Sequence, residues 1–408
     1  MSTTKLYQNQ VYTKEFTANV TSVNISEDST TVTLDQTAFF PEGGGQSCDL
    51  GVIGKWKVAD VREVGEDVYH TIETTDSSDM PSVGAQLPCS IDWERRFDNM
   101  QRHCGEHILS GVFFDLYGGV NRGFHMGTDY MTIDISLEEQ PEIEEITYEM
   151  ALEAEAAANK VIWSDSPVTV LRFDSRKDAE KMPLRKALAF DEDISIVCVG
   201  SAENAADCVA CCGTHPSTAG QVGLLKTYKV EKYKGMFRIY FEAGQRALKD
   251  YGLKHDILTD LSNDYSSSID DFPSKLKLQE EKLAAVKNDL FQMKKALTKI
   301  ECDKLDGIIA ASDSKVLVHS LEHFSMDDAF NMGKNYMGKC KQLIMLFSEK
   351  DCSYILLSDG TVDCGSLVKE YASFYHGKGG GNKISARAIF DREENATLFS
   401  DLVQKHLR

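Results

Sequence analysis

Apolar and polar residues alternate with a period of two over roughly the first 95 positions. Val32-Thr33-Leu34, Trp56-Lys57-Val58-Ala59-Asp60-Val61 and Val68-Tyr69-His70-Thr71-Ile72 each place apolar side chains on one face, and Gly51, Gly54, Gly65, Pro81 and Gly84 punctuate the runs. Short strands between regular turns predict a small β-barrel or sandwich. The period lengthens at Trp93. Phe97, Met100, Ile108, Leu109, Val112, Phe113 and Leu116 fit one helix from about 94 to 118, ended by Gly118-Gly119. Strands are expected near 130–135, 168–171, 194–199 and 237–241, with a helix at about 138–160 that is acidic on its outer face. This middle region is α+β.

Leu276, Leu283, Leu290 and Leu297 recur every seven residues, with Val286, Met293 and Ile300 on the adjoining position and Pro273 at a helix start. The pattern reads either as a short coiled coil that pairs two chains or as an amphipathic helix packed on its own domain. Beyond it, strands at 316–318, 343–346 and 354–357 alternate with helices at 326–338, 365–375 and 396–406. The expected organisation is α+β throughout: a β-barrel domain over 1–93, an α+β domain over 94–255, a helical stalk over 256–305 and an α/β C-terminal domain over 306–408.

Composition narrows the function classes. Hydrophobic residues at 42% and charged residues at 26% describe a soluble globular chain. No apolar run is long enough to span a bilayer, and Met1 to Gln10 lacks the basic and apolar blocks of a signal peptide. A cytoplasmic protein with no membrane partner is expected. Eleven cysteines without a secretion signal argue against a disulfide framework, and the cluster Cys208, Cys211, Cys212 points to metal binding or reactive thiols. The net charge of −20 opposes nucleic-acid binding in bulk. Distribution matters more: Lys226, Lys229, Lys232, Lys234, Arg238, Arg246, Lys249 and Lys254 form a basic stretch that faces either RNA or solvent.

Four elements carry candidate chemistry. His103-Cys104-Gly105-Glu106-His107 puts two imidazoles on one helical face, able to share a metal ion. Cys211-Cys212-Gly213-Thr214-His215 brings a thiolate and an imidazole together across a glycine turn. Together these two elements fit the four-ligand N/S shell of zinc. The first also fits H-x-x-E-H, a peptidase pattern in which Glu106 is the general base and Glu180 a candidate third ligand. That alternative leaves Cys211 to His215 without a role. Thr37-Ala38-Phe39-Phe40-Pro41-Glu42-Gly43-Gly44-Gly45-Gln46 and Gly377-Lys378-Gly379-Gly380-Gly381-Asn382 are glycine-rich segments. Each is either a loop whose backbone approaches a ligand or a plain surface turn.

The order of these elements resembles the AlaX proteins, in their long form, and the editing half of alanyl-tRNA synthetase. That family carries T-x-F-[FY]-x-E-x-G-G-Q, then H-x-x-x-H, then C-x-G-T-H and T-G-x-[IV]-G. Here the last stretch reads Ala219-Gly220-Gln221-Val222-Gly223, and Cys212 stands where the family has glycine. Met100-Gln101-Arg102-His103 and Gly123-Phe124-His125-Met126-Gly127 also look like the family. The resemblance covers about residues 10–245 and implies a zinc-dependent editing domain with ligands His103, His107, Cys211 and His215, leaving Cys208 a bystander. It implies a substrate site at Thr37, Gly43, Gly44, Gly45 and Gln46, with Thr37 reading a serine hydroxyl and Gln46 orienting the ester or water. The C-terminal segment is similar to the C-terminal domain of the synthetase. By that likeness Lys378, Gly379, Gly380 and Gly381 bind tRNA, or the stalk and domain form a homodimer.

The expected function is hydrolysis of mischarged alanine tRNA, Ser-tRNA(Ala) or Gly-tRNA(Ala), assisted by Zn2+. The editing-like region begins almost at residue 1, with no ATP-binding synthetase core ahead of it, so deacylation without aminoacylation is expected. A non-catalytic, zinc-containing tRNA-binding module is the remaining alternative.

Overall fold

In the computed structural model, which describes residues 2–26, 29–74, 79–189, 191–201 and 204–408, the period-two segments pair into a ring. Strands β1 (Glu15–Ile25), β2 (Thr30–Leu34), β3 (Gly51–Ile53), β4 (Trp56–Val64), β5 (Asp67–Ile72) and β6 (Gln86–Ile91) run antiparallel in the order β1-β2-β5-β4-β3-β6, and β6 pairs back onto β1. The inward halves of the alternation, among them Val20, Val32, Leu34, Val58, Val61 and Ile72, fill one apolar core.

Helix α1 (Trp93–Tyr117) leaves the barrel directly. The Asp92 carboxylate accepts from the Arg95 amide, and Gly118 ends the helix in the left-handed region at φ 62°. Fully buried Arg96 ties α1 to the barrel, donating to Asp49 Oδ2 at 2.9 Å and to the Val11 carbonyl at 2.9 Å. Such a bidentate, fully satisfied buried pair fixes the helix in register against the barrel.

Around α1 lie β7 (Val120–Met126), β8 (Met131–Ser136), α2 (Tyr148–Trp163), β9 (Val168–Phe173), β10 (Ile194–Ser201), β11 (Asn204–Ala210), β12 (Leu225–Tyr233), β13 (Met236–Ala243) and α3 (Gly244–Asp264). They form a sheet in the order β12-β13-β8-β7 and a second in the order β9-β10-β11. The helix expected at 138–160 begins ten residues later. Pro141 disfavours helix before it, and Thr147 supplies the true cap by accepting from the Met150 amide. Helix α3 was not foreseen. The basic stretch is not a free cationic face. Lys226, Lys232, Arg238, Arg246 and Lys254 pair with Glu155, Glu145, Asp134, Asp98 and Asp250, and Lys229 pairs with Glu231.

The chain divides into two units, Met1–Asp264 and Tyr265–Arg408. The second opens with α4 (Phe272–Ala311), a 40-residue helix. Leu276, Leu283 and Leu290 on it are exposed, whereas Leu297 packs on the unit's own core beside Leu305. It continues with β14 (Val316–Leu321), α5 (Met326–Gly333), β15 (Leu343–Ser348), β16 (Ser353–Leu357), α6 (Cys364–Tyr371), β17 (Lys378–Gly381), β18 (Ser385–Ile389) and α7 (Glu393–Leu407). The sheet order is β14-β15-β16-β18-β17. The segment Lys378 to Gly381 is therefore an edge strand, not a loop. A Cβ on Gly379 would sit 1.9 Å from the Arg387 carbonyl oxygen, so the glycines let this strand press against β18 more closely than side chains permit. Among the described residues no helix is long and apolar enough to cross a membrane.

Candidate metal centre and its cavity

One turn of α1 separates His103 from His107, so both imidazoles leave the same helical face. The chain beyond β11 then folds back across that face and delivers Cys211 and His215. Gly213 makes the crossing: a Cβ there would lie 2.2 Å from His103 Cε1. Ligand atoms of His103, His107, Cys211 and His215 all lie within 4.8 Å of one another. Cys211 Sγ is 3.4 Å from His103 Nε2 and 3.4 Å from His215 Nε2. Tetrahedral donors at zinc bond lengths of about 2.0–2.3 Å stand about 3.3–3.8 Å apart, so this spacing suits a shared ion.

The far sides of two rings are fixed. His103 Nδ1 faces Gln46 Oε1 at 3.0 Å, and that oxygen also accepts from the Thr214 amide at 3.0 Å, while Gln46 Nε2 donates to Thr214 Oγ1 at 2.8 Å. His107 Nδ1 faces Asp207 Oδ2 at 2.8 Å, and Arg185 Nε donates to the other Asp207 oxygen at 2.6 Å. Acceptors at both Nδ1 atoms select the tautomer that carries its proton there and turns the Nε2 lone pair toward Cys211. His215 Nδ1 is buried without a hydrogen-bond partner among the described residues.

Electrostatics favour the donor forms of Cys211 and His215. Burial opposes ionisation of the Cys211 thiol, but His103, His215 and His107 around it prevail and hold it well below the ordinary thiol range. Burial lowers His215 to about 4, leaving a neutral imidazole. Burial also disfavours a charged His107, yet Cys211 and Asp207 outweigh it and raise its pKa. Asp207 is depressed, its burial overcome by Arg185 and His107. A thiolate and imidazoles aimed at one point are the donor set of a zinc-type site.

A cavity of about 520 Å³ opens on this cluster, with Gly44, Glu106, Asn121, Phe124, Arg185 and Cys212 on its walls beside His103, His107 and Cys211. Of the expected substrate residues, Gly44 reaches the cavity. Gly43 and Gln46 close a tight turn through reciprocal backbone bonds of 3.1 and 3.0 Å, and Gly45 backs onto the Phe124 ring. Gln46 is fully buried behind His103 and does not face the cavity. Thr37 is not brought to it either. Its hydroxyl lies in the barrel, 2.8 Å from His70 Nε2, and accepts from the Phe39 amide at 3.2 Å. Lys378 to Gly381 belong to the other unit.

Cys212 borders the cavity, whereas its neighbour Cys211 stands in the group of four. Cys208 is joined to Cys198, its cross-strand neighbour, a single bridge and not the disulfide framework that the sequence argued against. Glu180 pairs with Arg176 at the surface and stands outside the ligand group, so it is not the third ligand that the peptidase alternative requires. Sequence reasoning missed Asp207, Arg185 and Asn121. A buried aspartate in an apolar strand was the one available signal for the first.

Comparison with known proteins follows this geometry. Residues 2–95 match the family described as tRNA synthetases class II (A). The alanyl-tRNA editing protein AlaX-L of Pyrococcus horikoshii is 29% identical, covering 99% of this chain and 99% of its own. The alanine–tRNA ligase of Pyrococcus abyssi is 28% identical over 94% of this chain and 42% of its own. That of Pyrobaculum neutrophilum is 33% identical over 60% of this chain and 27% of its own. The chain thus spans less than half the length of these two ligases.

Proposed function

We propose that the chain, which resembles an AlaX editing protein over nearly its whole length, is a trans-editing hydrolase that removes the wrong amino acid from alanine tRNA. The proposed substrate is the ester of serine, or of glycine, on the terminal ribose. The observation that carries the reading is the convergence of three imidazole Nε2 atoms and the Cys211 sulfur beside a cavity. A zinc ion held by His103, His107, Cys211 and His215 would supply a Lewis acid for ester hydrolysis.

The protein's own groups prepare that chemistry. Gln46 and Asp207 hold the two α1 imidazoles in one tautomer and one rotation. Gly44 lets the ester approach the backbone, and the Phe124 ring, stacked 5.5 Å from His103, walls the cavity against water. Gln46 enters as a positioning residue acting through His103, whereas Thr37, bonded to His70 in the barrel, has no contact with the cavity. An apolar pocket rejects an added hydroxyl by only about a hundredfold. Selection for serine therefore falls to polar groups on the cavity wall.

Exposed Lys378 on the edge strand and exposed Leu276, Leu283 and Leu290 on α4 support the further proposals of tRNA contact and a homodimer for the second unit. The proposed compartment is the cytoplasm, where tRNA is charged.

The test is deacylation of serine-charged alanine tRNA beside alanine-charged tRNA, with a Cys211→Ala variant and a zinc assay. Rapid loss of serine, sparing of alanine, and joint loss of zinc and activity in the variant are expected. Zinc-loaded protein that binds tRNA without turnover would leave a binding module instead.

A further inference from the structure

Glu106 has no part in the reading above, yet it lies on the cavity wall one residue before His107 and is buried. Its two oxygens are unlike. Oε1 accepts from Ser110 Oγ at 2.7 Å and from Asn121 Nδ2 at 2.8 Å. Oε2 has no hydrogen-bond donor among the described residues, and it lies 3.9 Å from His107 Nε2. Of the basic residues on the cavity walls, Arg185 is engaged with Asp207 and Arg122 with Glu138 and Glu139, and among the described residues neither they nor Lys186 form an ion pair with Glu106. The carboxylate is thus held in one orientation by two neutral donors, with its free oxygen beside the ligand cluster and its nearest basic group, the His107 ring, beyond hydrogen-bonding distance at 3.9 Å.

Burying a carboxylate oxygen without a hydrogen-bond donor is costly. A group entering from the cavity would offset that cost if it carried positive charge. An aminoacyl ester carries one such group close to the reacting centre: its α-ammonium nitrogen lies about 2.5 Å from the scissile carbonyl carbon. We infer that Glu106 anchors the α-ammonium group of the substrate ester. The site therefore accepts esters of free amino acids and rejects esters whose α-nitrogen is acylated or replaced by oxygen. This inference rests on the deacylase reading and names the feature of the substrate that the site selects. Asn121 and Ser110 act as positioning residues for Glu106.

The test compares two esters on the same alanine tRNA: seryl, and its α-hydroxy counterpart glyceryl, which keeps the size and loses the charge. Wild-type protein should hydrolyse the seryl ester with kcat/KM at least about a hundredfold higher. In Glu106→Gln, with zinc content and tRNA affinity unchanged, the two esters should come within about tenfold of each other. Equal hydrolysis of both esters by wild-type protein would overturn the inference while leaving the deacylase reading intact. So would a Glu106→Gln variant that slows both esters by one factor, since that marks a proton-transfer or structural role. No hydrolysis of either ester by zinc-loaded wild-type protein would sink the deacylase reading, and this inference with it. Should Glu106→Gln lose zinc, Glu106→Asp decides: a selectively weakened preference for the charged ester supports the anchor, and an unchanged preference overturns it.

Discussion

Gln46 Oε1 meets the His103 ring and the Thr214 amide at once, while its nitrogen holds the Thr214 hydroxyl. One amide thus locks a ligand on α1 to the turn that carries His215. Gln46→Leu fills similar space and removes every one of these bonds. Such outer partners of metal ligands are worth about 10–100-fold in affinity. Zinc affinity of Gln46→Leu, read by competition with a chromophoric chelator, should fall by about that factor with the fold intact. Unchanged affinity would show that the Gly213 turn alone holds the ring. The four ligands were legible because their spacings are local: i, i+4 on a helix, and a cysteine and histidine across one glycine. Their partners were not. Asp207 stands 100 residues from His107, and Gln46 stands 57 from His103. No pattern within a window of sequence joins such pairs.

At the scale of elements, the barrel shows how one polar residue serves a hydrophobic interior. His70 on β5 is completely buried, with Nδ1 at 3.0 Å from the Val32 carbonyl and Nε2 facing Thr37. Burial lowers its pKa from 6.5 to about 4, opposed only by the Val32 carbonyl. The native barrel holds a neutral ring where the unfolded chain takes up a proton. The stability this group contributes is therefore complete above about pH 6.5 and is lost as pH falls toward 4, by an amount on the order of 3 kcal/mol. Thermal unfolding between pH 7 and 4 should show this slope, and His70→Gln should flatten it. An equal slope in the variant would assign it to other groups. Element type followed the periodicity closely in the barrel and α1, where one face is buried. It failed at 138–147, where acidic residues mimic a helix face and Pro141 with Thr147 delays the start. It failed again at Lys378–Gly381, since glycines give no alternation to read even when they form a strand.

For the molecule as a whole, the charge balance limits how RNA is held. The formal net charge is −20, and most of the basic stretch is spent on internal carboxylates. Of the eight basic residues in that stretch, Lys234 and Lys249 stand outside the ion pairs described, so it offers few free charges to displace counterions from phosphates. Binding of single-stranded acceptor ends loses affinity with salt at a slope of about −0.7 for each neutralised phosphate. A plot of log affinity for tRNA against log salt should therefore be shallow, with a slope smaller in magnitude than about 3. A steep slope would reveal a cationic surface that the ion pairs conceal. Recognition then rests on the acyl group and the shape of the acceptor end more than on long-range attraction.

The metal-ligand cluster also constrains the timing of biosynthesis. Gln46 lies 168 residues before Thr214, and His103 lies 108 before Cys211. A growing chain that has emerged only as far as α1 exposes two histidines but no thiolate and no Gln46 latch on the Thr214 turn. More than half of the polypeptide must leave the ribosome before a high-affinity centre exists, and closing loops of that length is slow. Nascent fragments thus have little capacity to capture a stray ion, and on the proposed zinc reading metal insertion would be the last step of maturation rather than its nucleus.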